Sequence, residues 1–258
     1  MFKQLFNSRL FSFLQFAGMA LLITGCGYFS SFSEQEDLRF YPDRSDYSYW
    51  TVSDEYAPDS AYVSVIAPYK SRVSALMNDT IGFAINALTE NKPESSLGNF
   101  AADAIRVEAS NALRTKVDVA LLNYGGLRVN IPRGPITVGN VYELMPFENK
   151  LVVVNMKGSE LHKLLHEIVA VGGEPISGVR LRASEQRAED VIVGYRPIQP
   201  DSVYTLATTD YLLRGGGNFP TLWKQNEVTY TDMTIRDALI NYVSDRSEIE
   251  SVVDGRYR

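Results

Sequence analysis

The chain has 258 residues, 45% hydrophobic and 22% charged, which are the proportions of an ordinary globular protein with room for one sizeable core. Its formal net charge of −6 argues against a nucleic-acid partner, because such proteins present a basic footprint to the phosphate backbone. Its one cysteine, Cys26, leaves no intrachain disulfide, so the fold must rest on packing.

At the N-terminus, Lys3 and Arg9 supply a positive region, and Phe11 to Ile23 is an apolar stretch of signal-peptide length, short for a membrane span. It runs into Leu-Leu-Ile-Thr-Gly-Cys, residues 21–26, which resembles a bacterial lipobox. The resemblance implies acylation of Cys26 and a membrane anchor through it. Residues 1–25 are therefore expected to be a lipoprotein signal peptide. Residues 26–60, polar and acidic with scattered aromatics, are expected to be a tether, and residues 61–258 a single extracytoplasmic domain.

Within that domain, Ala67–Met77 places Tyr69, Val73, Leu76 and Met77 at helical spacing. Ile81–Leu88 reads as a strand. Glu94–Leu113 is the clearest helix, with Leu97, Ala101, Ile105 and Ala109 on one face and Ser95 or Ser96 as its cap. Val117–Asn123 is a buried strand that ends in a Gly125-Gly126 turn. Ile136–Leu144 reads as a short strand and a short helix, and Lys150–Gly158 as a strand. Ser159–Ala170 is an amphipathic helix with Ser159 as its cap. Strands follow at Gly178–Ser184, Asp190–Tyr195 and Val203–Thr209, and a C-terminal helix at Met233–Asp245. The irregular interleaving predicts an α+β fold, a mixed β-sheet layered with helices.

Few residues suggest catalysis. His162 and His166, the only histidines, sit at i and i+4, a spacing that can serve zinc. The intervening glutamate of the metalloprotease motif and any third ligand are missing, which favours a plain helix face. There is no G-x-S-x-G motif. Leu213–Pro220 is glycine-rich but lacks the lysine and hydroxyl of a phosphate loop. It reads equally as a flexible turn or as a close approach of backbone to ligand. The stretch from Val119 to Gly158 looks more like a binding surface. It offers Asn123, Gly125, Gly126, the guanidinium fork of Arg128, Phe147 after Pro146, and Asn149. Phe147 and Tyr211 could hold a flat base between them or could simply be core.

These residues fall into ordered motifs. Pro93–Ile105, Asn123–Arg128 (Asn-Tyr-Gly-Gly-Leu-Arg), Pro146–Asn149 (Pro-Phe-Glu-Asn), Ser177-Gly178, Asp210–Phe219 and the terminal Asp-Gly-Arg-Tyr together resemble the C-terminal, substrate-binding domain of the 5′-nucleotidase / UDP-sugar hydrolase family. The resemblance implies that Phe147 and Tyr211 sandwich a nucleobase, and that Asn123 and Asn149 contact base or ribose. It further implies that Gly178 lines the base pocket and Arg128 binds the ribose–phosphate side. Two family positions differ: Asn91 stands where an arginine is usual, and Gly217 where an aspartate is usual. Family enzymes also carry an N-terminal metallophosphoesterase domain whose two metals are held by Asp, Asn and His. The expectation is a nucleotide- or nucleoside-binding half of a split 5′-nucleotidase, with no cofactor or catalytic residue of its own. Divalent metals would sit on a separate metallophosphoesterase subunit. A non-enzymatic nucleoside-binding lipoprotein is the alternative.

Overall fold

The computed structural model describes Ser53, Ala57 and residues 59–258. The lipobox at Cys26 and almost all of the expected tether lie outside the described residues. Residues 59–258 belong to one unit.

Helix α1 (Ser60–Met77) begins earlier than its periodicity predicts, because the Asp59 carboxylate accepts the Ala61 N–H at 2.8 Å and caps the first turn. Strand β1 (Thr80–Ala84) is shorter than expected. The Asn86 side chain donates to the carbonyls of Ala87 and Ser251 and bends the chain, and Leu88 makes only an isolated bridge to Ile131. Helix α2 (Ser96–Leu113) is capped by Ser95, whose hydroxyl accepts the Gly98 N–H at 2.9 Å. Strands β2 (Val119–Leu121) and β3 (Gly134–Thr137) precede α3 (Val138–Leu144), which Thr137 and Asn140 cap reciprocally.

Strand β4 (Lys150–Lys157) leads into α4 (Gly158–Ala170). The cap of α4 is Lys157 rather than the expected Ser159. The Glu160 carboxylate accepts the Lys157 N–H, and a Cβ at Gly158 would lie 2.0 Å from the Gln199 carbonyl oxygen, so a glycine starts the helix here. Next come β5 (Ile176–Ser177), β6 (Val179–Ser184), β7 (Arg187–Val193), β8 (Arg196–Pro197) and β9 (Val203–Thr209). The chain ends with α5 (Asp210–Leu213), α6 (Pro220–Trp223), β10 (Val228–Thr234), α7 (Ile235–Arg246) and β11 (Glu248–Ile249). Met233 and Thr234, expected in the last helix, belong to β10, and Thr234 caps α7 by accepting the Asp237 N–H.

The fold is α+β. A five-stranded mixed sheet of order β10-β4-β9-β2-β5 is flanked by sheets of order β11-β1-β3 and β6-β7-β8. In the central sheet β2 and β9 are parallel, and the other pairings are antiparallel. Both of its faces are covered, which is why β4 reads as a continuous apolar run. Leu151 and Val153 join one cluster with Leu97, Ile105 and Leu239, from α2 and α7. Val152, Val154 and Met156 join a second cluster with Leu161, Leu164 and Ile168 of α4. The alternation is the period-two geometry of a strand.

Candidate ligand-binding surface

Strand β2 delivers Asn123 to its C-terminal end, and the chain then turns through a 3₁₀ turn, Tyr124–Gly126. The turn is held from both sides. Gly126 N–H donates to the Asn123 carbonyl and Leu127 N–H to that of Tyr124, while the Glu174 carboxylate accepts the Tyr124 N–H at 2.6 Å. The Asn123 side chain lies over the two glycines: a Cβ on Gly125 would stand 3.3 Å from its amide nitrogen, and one on Gly126 3.5 Å from its oxygen. Arg128 is exposed and donates to the Gly125 carbonyl at 3.2 Å. Tyr124 itself is buried, and its hydroxyl meets that of Ser95 at 3.0 Å. Burial pushes the phenol up to about 12, so it serves as a neutral hydrogen-bonding prop.

The loop packs against the segment that carries Phe147. Arg128 N–H donates to the Leu144 carbonyl at 2.9 Å, and Gly126 lies beside the Met145 side chain. The corner Met145–Glu148 is gripped from α7 by Arg236, which is almost fully buried. Its guanidinium donates to the Met145 carbonyl at 3.3 Å, pairs with Glu148, and stacks 4.1 Å from the Tyr142 ring. The Asn149 carbonyl accepts the Ile235 N–H. On the other flank, the Lys150 N–H donates to the Asp210 carboxylate at 2.9 Å, which fixes the corner next to α5 and Tyr211.

Phe147 is 41% exposed and Tyr211 48% exposed; neither is core. The Tyr211 ring lies over Gly216, where a Cβ would come within 2.3 Å of ring atoms, and Gly217 has φ +66. The glycine run is therefore a close approach of backbone to an aromatic ring. Asn123, Gly125, Gly126 and Arg128 are thus in direct contact with one another, and the segments that carry Phe147, Asn149 and Tyr211 are tied to that loop and to each other through Leu144, Met145, Lys150 and Asp210. Gly178 is not brought there. It adjoins the start of β2, where its φ of +78 and the Asp118 carbonyl, 1.9 Å from a would-be Cβ, demand glycine. It lines a separate cavity of about 300 Å³ with Arg106, Lys116 and Arg180. Asp118 and Asn123 are five steps apart, roughly 16 Å of extended chain.

Glu174 and Glu94 were not visible in the sequence as organising residues. Glu174 also pairs with Lys92 at 3.3 Å, so the exposed Asn91 is followed by a cation that is already engaged. The buried Glu94 carboxylate accepts the backbone N–H groups of Asp254, Gly255 and Arg256 and fastens the terminal Asp-Gly-Arg-Tyr segment to the start of α2. The only hint was an acidic residue beside a Pro or Gly at an element boundary. His162 and His166 both turn to Ala188: His166 Nδ1 accepts its N–H at 2.9 Å and His162 Nε2 meets its carbonyl at 3.0 Å. Among the described residues no group of three His, Cys, Asp or Glu could hold a metal ion.

Comparison with known proteins identifies the family. Residues 72–224, more than half of the chain, match the family 5′-nucleotidase, C-terminal domain. The 5′-nucleotidase of Vibrio parahaemolyticus is 26% identical over 212 residues, covering 77% of this chain and 36% of that protein. Cell wall protein Lmo0130 of Listeria monocytogenes is 28% identical over 225 residues, covering 76% of this chain and 28% of that protein. In structure, the 5′-nucleotidase precursor of Thermus thermophilus superposes with a TM-score of 0.66 at 30% identity, over 79% of this chain and 44% of that one. The chain belongs to the 5′-nucleotidase, C-terminal domain family, and it spans under half the length of these relatives.

Proposed function

We propose that this chain holds the base and ribose of a nucleotide or nucleoside as the substrate-binding half of a split 5′-nucleotidase. The observation that supports the reading is that Phe147 and Tyr211 are both about half-exposed and lie on segments tied by the Lys150–Asp210 hydrogen bond. The rings would clamp the base, and the asparagines and Arg128 would meet base, ribose and phosphate. Holding the remote part of a substrate aids catalysis by positioning the scissile phosphate.

The hydrolytic step would fall to a separate metallophosphoesterase subunit. Its divalent metals would supply the attacking hydroxide and clamp the phosphate oxygens. Acylation of Cys26 would keep the complex at an extracytoplasmic membrane face; the cell wall protein among its relatives supports that location.

The test is a thermal-shift screen of residues 27–258 against nucleosides, nucleotides and UDP-sugars. A ligand at about 100 times its dissociation constant stabilises by about 2.7 kcal/mol. A shift that disappears in both Phe147→Ala and Tyr211→Ala supports the clamp. No shift with any of these ligands sinks it.

A further inference from the structure

The cavity that Gly178 lines has a charge balance of its own. Its volume is about 300 Å³, at the lower end of the range for small-molecule sites. Four cations, Arg106, Lys116, Arg180 and Arg256, line it together with three carboxylates. The carboxylates are spent within the protein. Asp103 accepts the Ser177 hydroxyl and the Arg256 guanidinium. Asp118 accepts the N–H and hydroxyl of Thr205. Asp254 accepts Arg256 Nε and pairs loosely with Arg180 at 3.4 Å. The cations are not all spent. Ser177, wholly buried, accepts the Arg106 Nε–H at 2.7 Å, which anchors the guanidinium. Neither terminal nitrogen of Arg106 has a hydrogen-bond partner among the described residues. Exposed Lys116 stands 3.7 Å from Asp118, a weak pair in water.

The rim carries an exposed aromatic ring. Val193 and Arg196 pair across a two-residue turn in which Gly194 and Tyr195 have φ +55 and +70, the backbone of a type I′ hairpin. Its second position usually goes to glycine; here it holds a tyrosine that is wholly exposed beside the cavity. The neighbouring hairpin turns with the same hand on Glu185 and Gln186, polar residues that suit water. Tyr195 and the exposed Ile192 instead add apolar surface to the cationic lining. The Lys116 ammonium lies at the same turn, 3.6 Å from where a Cβ on Gly194 would stand.

We propose that this cavity binds a small aromatic carboxylate, with its carboxylate on the open fork of Arg106 and its ring against Tyr195 and Ile192. A guanidinium with both terminal nitrogens available matches a carboxylate bidentately. One negative charge neutralises the lining, whereas a phosphate dianion would leave it net negative. A neutral ring would cover the fork without satisfying it, which costs binding energy. The site is independent of the nucleotide reading: it lies at the start of β2, while Asn123 lies beyond that strand's other end.

The deciding experiment is isothermal titration of the full chain in detergent with benzoate and phenylacetate, with benzamide as the uncharged isostere and inorganic phosphate as the ring-free anion. The expected result is one site for a carboxylate probe with a dissociation constant of about 1 mM or tighter. Benzamide should bind at least about tenfold more weakly, and so should the carboxylate to Arg106→Gln. Tyr195→Asn removes the ring but keeps a residue that tolerates positive φ, so its thermal midpoint should not fall. It should nonetheless weaken the carboxylate at least about threefold. This variant and the benzamide comparison decide the matter even where Arg106→Gln impairs folding. No heat from either carboxylate overturns the proposal. So does benzamide binding as well as benzoate, or a carboxylate affinity that Tyr195→Asn leaves unchanged. Binding of inorganic phosphate with both carboxylates silent would mark an inorganic-anion site and overturn it too.

Discussion

The backbone N–H of Lys150 donates to the Asp210 carboxylate at 2.9 Å, and this one contact couples the corner that carries Phe147 to the short helix that carries Tyr211. Asp210→Ala should therefore loosen the clamp while both rings remain. A hydrogen bond to a charged group contributes about 1.5–3 kcal/mol, so nucleoside affinity should fall by about 10- to 100-fold, measured by isothermal titration. Unchanged affinity would show that the rings need no such setting.

The rings themselves should matter to the ligand and little to the fold. Because Phe147 and Tyr211 are about half exposed, either alanine variant should unfold within about 0.5 kcal/mol of the parent in urea. Stacking is worth about 1–3 kcal/mol per base, so each variant should lose about 5- to 150-fold in nucleoside affinity. A variant that lost stability instead would mark its ring as core.

Gly216→Ala should mimic Tyr211→Ala. The added methyl would sit 2.3 Å from the Tyr211 ring, and the ring must swing away to admit it. The expected result is weakened ligand binding with Tyr211 still present. Restored affinity in Gly216→Ser would contradict this steric account, because serine carries the same Cβ.

Glu94→Gln should loosen the C-terminal segment. The carboxylate serves the N–H groups of Asp254, Gly255 and Arg256, and an amide keeps only one acceptor oxygen. Exposing or orphaning these donors costs about 1–3 kcal/mol each, so the urea midpoint should fall. Hydrogen exchange should rise first at residues 254–257. Uniform exchange across the domain would deny the segment its separate latch.

Acid should weaken the protein through His166. Burial, together with the neighbouring His162, lowers its pKa below 6.5, and its Nδ1 accepts the Ala188 N–H, a role that protonation abolishes. A group depressed in the folded state adds stability above its unfolded pKa and loses it as pH falls through the folded value. Stability should thus decline as pH drops below about 6.5. His166→Asn, whose side-chain oxygen can accept the same N–H, should flatten that part of the profile in urea titrations.

The local content of the sequence sufficed for most elements. The apolar run of β4, the apolar face of α2 and the serine cap at Ser95 or Ser96 are short-range features, and each of these elements formed close to where its pattern lay. Family membership was likewise carried by short ordered motifs such as Asn123–Arg128 and Asp210–Phe219. What no local pattern contains is which elements meet. Periodicity marked α1 as a helix with an apolar stripe, yet only the packed structure shows that nothing in residues 59–258 buries that stripe. Ser159 looked like a cap until Gln199, distant in sequence, required a glycine at 158. The resemblance implied that Gly178 lines the base pocket; in the structure it lines the cavity beside Asp118, at the start of β2, while Asn123 lies beyond that strand's other end. Glu94, Glu174, Asp210 and Arg236 do their work through partners 50 or more residues away, and the chain's spacing holds no record of such pairings. They exist only once hydrophobic burial on both faces of the central sheet has fixed where every loop emerges.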